Sequence, residues 1–177
     1  MRHSYLHHFV TPAIIYKIAL TIKNYYYIVI FMEKKWHDNK RERFYQRSRK
    51  NGLKITPQRT IIYEELLKAK DHPTADDIYQ RIVKKIPNIS FDTVNRTLLT
   101  FSKIGITHVV EGYGQAKRYD PNVDLHHHFR CIQCGSIIDF HNEEYDNITV
   151  PEEINTQYLV IHKKVVLEGL CSKCRKG

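Results

Sequence analysis

Apolar residues recur at helical spacing through the middle of the chain, and the period changes after Gly105. Residues 34–50 are charged and helix-compatible and end at Asn51-Gly52, a helix stop signal. The pattern then predicts a helix opening with Thr56 as N-cap and Pro57 in its first turn, with Ile61, Ile62, Leu66 and Leu67 on one stripe. A further helix opens at Thr74, places Asp76 and Asp77 where carboxylates suit the helix dipole, buries Ile78, Ile82 and Val83, and is closed by Pro87. Ser90 caps the next one. Its inward stripe is Val94, Leu98 and Phe101, which leaves Thr93, Asn95, Arg96 and Thr100 on other faces until Gly105.

Beyond Gly105, residues 106–111 and 116–119 read as short strands around Gly112-Tyr113-Gly114, a hairpin signal. Helices followed by a hairpin make a winged helix-turn-helix, which presents its last helix to the major groove of DNA. On this reading Ser90, Thr93, Asn95 and Arg96 approach DNA, and Lys117 or Arg118 of the wing reaches phosphate. The plainer reading of the same pattern is a small helical core with its polar residues facing water. Strands are expected at residues 127–132, 136–140, 158–162 and 164–170, with a helical or irregular piece over 143–154. The fold class is therefore α+β: a winged-helix domain over 32–121 and a small α/β domain over 122–177. An exposed sheet edge in the latter favours pairing with a second copy, so a homodimer is expected.

Charge sharpens this picture. The formal net charge is +9, and the excess is local: residues 1–50 carry 11 Lys/Arg against 3 Asp/Glu, and residues 51–177 carry 17 against 16. A surplus of this kind suits a polyanion such as DNA, or a solvated charged helix. Residues 9–32 are apolar but interrupted by Lys17, Lys23 and Asn24, short of the run of about 20 apolar residues that a spanning helix needs. Residues 1–31 are expected to be a leader outside the fold, Met32 to be the ordinary start, and the protein to be cytoplasmic with no membrane partner.

The four cysteines form two Cys-x-x-Cys pairs, Cys131/Cys134 and Cys171/Cys174. Such pairs place thiolates on tight turns, and two together give the tetrahedral four-sulfur shell of structural Zn(II). The competing readings are disulfides in a secreted protein and a redox pair. Alternate residues of a strand share a face, so His126 and His128 can point at one ion while His127 points away. Asp139 and Asp120 add carboxylates, making a mixed nitrogen and oxygen set suited to Fe(II), Mn(II), Co(II) or Zn(II). Spacing alone leaves surface or hydrogen-bonding histidines equally open. A hydrolytic metalloenzyme is disfavoured by the absence of His-x-Glu and His-Glu-x-x-His motifs, and no enzymatic activity is expected.

These pieces stand in a recognisable order. ITPQR at 55–59, HPTADDIY at 72–79, SFDTVNRTLLTFSKIGI at 90–106, KRYDP at 117–121, HHHFRCIQCGSIIDF at 126–140 and GLCSKC at 169–174 resemble the ferric uptake regulator superfamily. The resemblance implies a dimeric repressor with a DNA-binding winged helix, a dimerisation domain, a four-cysteine zinc site and a regulatory metal site. Carried over residue by residue, the regulatory ligands are His72, Asp120, His126, His128 and Asp139. His72 has no signal in spacing and enters through the resemblance alone. Aspartate at 139, where iron-uptake members usually have glutamate, makes the chain similar to the peroxide-responsive branch. That branch implies regulation by Fe(II) or Mn(II), with iron-catalysed oxidation of a ligand histidine, His72 or His126, releasing the repressor from its operator. The alternative is an iron- or zinc-responsive uptake repressor without peroxide sensing. Two positions depart from the family pattern: Asn95, where a tyrosine is usual, and Lys163, where iron-uptake members often place a histidine of a further metal site. His127, His141 and His162 are expected at the surface or behind the ligands.

Overall fold

The computed structural model describes residue 35 and residues 37–110 and 116–176. The leader expected over 1–31 and the Gly112-Tyr113-Gly114 turn lie outside the described residues. Arg47–Gly177 forms one compact unit.

Each helix starts where its capping residue puts it. Helix α1 (residues 37–50) stops where Gly52 takes a φ of 64°. At α2 (Pro57–Lys68), extended Thr56 accepts the Arg59 amide on its hydroxyl, and the proline sits in the first turn, where no N–H partner is needed. At α3 (Ala75–Ile82) the cap is reciprocal: the Thr74 hydroxyl accepts the Asp77 amide, and the Asp77 carboxylate accepts the Thr74 amide at 2.8 Å. This helix ends at Ile82 rather than running to Pro87, because residues 83–85 already turn, and Val83 is only half-buried. At α4 (Phe91–Lys103) the Ser90 hydroxyl accepts the Thr93 amide at 3.1 Å. Gly105, φ 72°, ends that helix in the left-handed region that favours glycine, and an added Cβ would lie 2.0 Å from the Arg47 guanidinium, which would have to move.

The three helices α2, α3 and α4 bury Ile62, Leu66, Ile78, Ile82, Val94 and Leu98 completely, and Phe101 meets Tyr63 edge-on with ring centroids 6.0 Å apart. Each such side chain contributes roughly 1.5–3 kcal/mol by leaving water. After Gly105, β1 (His108–Val110) pairs antiparallel with β2 (Arg118–Asp120) as the wing.

A second sheet has the order β4-β3-β5. Strand β3 (His127–Cys131) runs antiparallel to β4 (Ile137–Phe140) and parallel to β5 (Val166–Gly169), with the short helices α5 (Glu143–Asp146) and α6 (Glu152–Gln157) between β4 and β5. The strand expected over 158–162 does not form. A continuous apolar run, Tyr158 to Ile161, is present there, but among the described residues no neighbouring strand offers it a ladder, and Tyr158, Leu159 and Ile161 are 63%, 88% and 75% exposed. Among the described residues, no helix is long and apolar enough to cross a membrane.

Candidate metal centres

The sheet builds the cysteine cluster. Because β3 and β5 are parallel neighbours, with Cys131 opposite Gly169, both strands deliver their C-terminal ends to the same place, and the two Cys-x-x-Cys turns meet there. All four sulfurs lie within 4.8 Å of one another, and Cys134 Sγ is 3.8 Å from Cys171 Sγ. Tetrahedral Zn(II) with bonds of about 2.3 Å places its sulfurs about 3.8 Å apart, so the shell has the size that zinc requires. The backbone amide of Cys134, followed by that of Cys171, holds the Cys131 thiol down to about 6. Cys174, hydrogen-bonded to Cys171, is pushed up to about 12. Four thiolates this close retain a proton on one member unless a cation neutralises them. No sulfur is in a disulfide.

The second cluster is assembled from distant parts of the chain. His72 lies in the turn before α3, Asp120 ends β2, His126 and His128 flank the first residue of β3, and Asp139 lies opposite His128 on β4. One atom from each of these five residues falls within 4.8 Å of all the others. Nε2 of His72 is 2.8 Å from Asp139 Oδ1, Nε2 of His126 is 2.8 Å from Asp120 Oδ2, and the two Nε2 atoms of His126 and His128 are 3.0 Å apart. A cation with bonds of about 2.1 Å sets adjacent ligands about 3.0 Å apart at right angles, close to these three separations. Despite such proximity, His72 Nε2 and Asp120 Oδ2 are buried and form no aligned hydrogen bond. They point at a common centre rather than at each other, as ligands of one ion do. Imidazole and carboxylate donors of this kind suit a borderline divalent cation.

Neighbouring groups hold these ligands ready. The Asn122 amide donates to Asp120 Oδ1 at 2.7 Å and leaves Oδ2 for the centre. Nδ1 of His126 donates to the Asp124 carbonyl at 2.7 Å, which fixes the tautomer with the Nε2 lone pair turned inward. Burial opposes the ionised form of Asp120, but the imidazoles of His126 and His128 beside it and the hydrogen bond from the Asn122 amide outweigh it and hold the carboxyl well below the usual range. Asp139 is likewise held down against burial by His128 and His72. Burial opposes charge on His128 too, yet Asp120 and Asp139 raise it to about 9.

His72 stands apart. Its φ is 48°, the left-handed region that costs a non-glycine residue about 1–3 kcal/mol, and its buried Nδ1 has no hydrogen-bond partner. His127, expected at the surface or behind the ligands, is fully buried on the opposite face of β3. Its Nδ1 accepts the Val165 amide and its Nε2 lies 3.0 Å from Asp146. With Nδ1 taken by the Val165 amide, the ring faces Asp146 and lies on the side of β3 away from His126 and His128. His141 and His162 are exposed.

On α4, Ser90 and Arg96 are exposed and Thr93 and Asn95 half-buried; the Arg96 guanidinium rests on Asp92 at 2.9 Å. Lys117 is exposed, whereas Arg118 turns inward and its Nη1 donates to the His72 carbonyl at 3.2 Å. That contact and the His127–Asp146 pair had no signal in residue spacing, since each joins segments that only the fold brings together, whereas the Asn122 and Asp124 supports lie two residues from the groups they hold and were not read.

Residues 50–168 match the model of the ferric uptake regulator family. The peroxide-responsive repressor PerR of Staphylococcus epidermidis is 38% identical over 128 residues, which covers 72% of this chain and 85% of that protein. Among solved structures, the Helicobacter pylori ferric uptake regulator Fur, described as having three functional metal-binding sites, superposes with a TM-score of 0.64 at 27% identity over 79% of this chain and 94% of that one. The Campylobacter jejuni peroxide stress regulator does so at 0.55 and 31% identity, over 73% and 97%. With this match and its two ligand clusters, the chain belongs to the ferric uptake regulator family and is one of its metal-responsive repressors.

Proposed function

We propose that this chain is a DNA-binding repressor that senses peroxide through a divalent cation held by His72, Asp120, His126, His128 and Asp139, with Zn(II) held structurally by Cys131, Cys134, Cys171 and Cys174. The observation that carries the reading is the convergence of five ligand atoms from four separate segments, four of them on buried residues and the fifth on exposed Asp139. Residues 32–121 are the DNA-binding domain and 122–177 the dimerisation and metal-binding domain. His72 and Asp120 belong to the first and the other three ligands to the second. A cation shared between them favours one arrangement of the domains and so sets the spacing of two α4 helices in a dimer.

Ser90, Thr93, Asn95 and Arg96 present that helix to operator DNA. The dimer is supported by the apolar side chains left exposed in this half, Ile138 on β4, Leu159 and Ile161 between α6 and β5, and Leu167 on β5, which are 49%, 88%, 75% and 40% exposed. A reducing cytoplasm suits the four unpaired thiols.

Held by these five ligands, Fe(II) would activate hydrogen peroxide beside them and be regenerated, the two electrons that reduce peroxide coming from the oxidised ring. His72 or His126 is the side chain oxidised: its ring carbon C2 exchanges hydrogen for oxygen, and imidazole plus peroxide becomes 2-oxo-imidazole plus water. The altered ring is a poorer donor, the five-ligand set loses a member, and the domains are freed. Mn(II) in the same site leaves the rings intact and the repressor on DNA.

The test loads the zinc-containing dimer with Fe(II) or Mn(II) and measures binding to duplexes selected from a random pool by the Mn(II) form, before and after micromolar peroxide. Loss of binding in the Fe(II) form alone, with a gain of one oxygen on the His72 or His126 peptide, is expected. Release that follows metal concentration and ignores peroxide would instead identify an uptake repressor.

A further inference from the structure

Two of the histidine ligands are oriented by different means. His126 follows a familiar pattern: its ring is steered from behind by the Asp124 carbonyl on Nδ1. His72 has no such acceptor, since its Nδ1 is buried without a hydrogen-bond partner. Something else must aim this ring, and its backbone is strained as well, at φ 48°. A left-handed histidine persists only where its surroundings over-determine it.

The backbone around His72 is held mainly from the wing. Nη1 of Arg118 donates to the His72 carbonyl at 3.2 Å, Arg118 forms an isolated bridge with Thr74, and the next amide, Tyr119, donates to the Pro73 carbonyl at 2.9 Å. Thr74 is in turn locked by the Asp77 carboxylate. Residues 72–74 are therefore held from both sides, by β2 and by the first turn of α3. Arg118 is half-buried, in contrast to exposed Lys117 beside it, so its guanidinium is committed to the protein rather than to solvent.

We propose that Arg118 is the positioning residue for His72, acting on its backbone carbonyl instead of its ring, and that it thereby sets affinity for the regulatory cation. This rests on the five-ligand reading above, and it assigns the wing arginine to the metal centre rather than to a DNA phosphate.

A double-mutant cycle tests it on the full-length, zinc-loaded protein, with Mn(II) affinity read from the EPR signal of free Mn(II) and with zinc content and thermal unfolding measured on every variant. Arg118→Ala is expected to weaken Mn(II) binding about 10–100-fold, the range for losing an outer support of a ligand. In a His72→Ala background the same change is expected to have almost no further effect, because the group it positions is gone. Arg118→Met, which keeps the aliphatic stem and loses the donor, is read in place of the alanine variant if that variant does not fold. Unchanged Mn(II) affinity, or an equal loss in both backgrounds, overturns the proposal while leaving the five-ligand site standing. If His72→Ala itself leaves Mn(II) affinity unaltered, both readings fall together.

Discussion

The two ligand clusters are built on opposite plans. The cysteine cluster uses two short turns at the adjacent ends of parallel strands, so its four ligands need only β3 and β5 in register. The histidine and aspartate cluster draws on four separate segments, buries His72, Asp120, His126 and His128, and includes a strained backbone and a ring nitrogen without a partner. A site assembled from neighbours suits a permanent staple. One assembled from remote segments, with part of its strain unrelieved, is sensitive to the loss of any member, and that sensitivity is what a regulatory site requires.

If the contrast is right, breaking the staple should do the most damage. Cys131 is fully buried and its sulfur accepts the Cys171 amide at 3.3 Å, so it joins the two turns even before metal is considered. Cys131→Ala is expected to lose zinc and to lower the unfolding midpoint by more than about 10 °C, with regulatory metal binding lost along with it. The check is metal analysis and calorimetry of the purified protein. Retention of zinc and of the midpoint would remove the distinction between the two sites.

Removing a regulatory ligand should do the reverse. His72→Ala is expected to weaken Mn(II) binding by more than about 100-fold, beyond the outer-shell range, and to leave zinc content unchanged. The strain adds a sharper comparison: at a φ of 48° glycine is comfortable and alanine is not. His72→Gly should therefore unfold roughly 1 kcal/mol later than His72→Ala, about 2–4 °C in a domain of this size, although neither binds the cation. Equal midpoints would mean that the left-handed backbone stores nothing.

The same contrast decides what could be read before folding. Cys131, Cys134, Cys171 and Cys174 announce themselves because each turn carries its own pair, and Thr56, Thr74, Ser90 and Gly105 mark helix ends through local hydrogen bonds and φ. His126 and His128 were legible from strand alternation, with His127 turned to the other face. What alternation does not carry is depth: His127 is buried because Phe140 and Tyr145 cover it, and both approach only once β4 and α5 are in place. His72 and Arg118 lie 46 residues apart and meet through a carbonyl, a contact that any residue type at position 72 would offer. The strand expected at 158–162 failed for a related reason, since a β pattern states a capacity to pair and names no partner.

The smallest expected effect concerns the turn that carries His72, where local and long-range supports meet at Thr74. Asp77 is held below the ordinary carboxylate range, first by the Thr74 amide and, against partial burial, also by the Thr74 hydroxyl and by Arg81 and Arg118. Its folded value lies below its unfolded one. The ionised carboxylate therefore stabilises the protein fully above the unfolded value of about 4, and this contribution disappears as pH falls through the lower folded value. Because the group is largely solvated, screening limits the pH-dependent part to no more than about 0.5 kcal/mol. In urea unfolding, the gap between the parent protein and Asp77→Ala should stay constant from pH 7 to about 5 and narrow only below about 4. Mn(II) affinity of the same variant should fall less than that of Arg118→Ala, because Asp77 reaches His72 only through Thr74, whereas Arg118 holds the His72 carbonyl directly. A larger loss from Asp77→Ala would show that the helix cap, and not the wing, fixes the remote ligand, and the second cluster would then rest on a local support much as the first does.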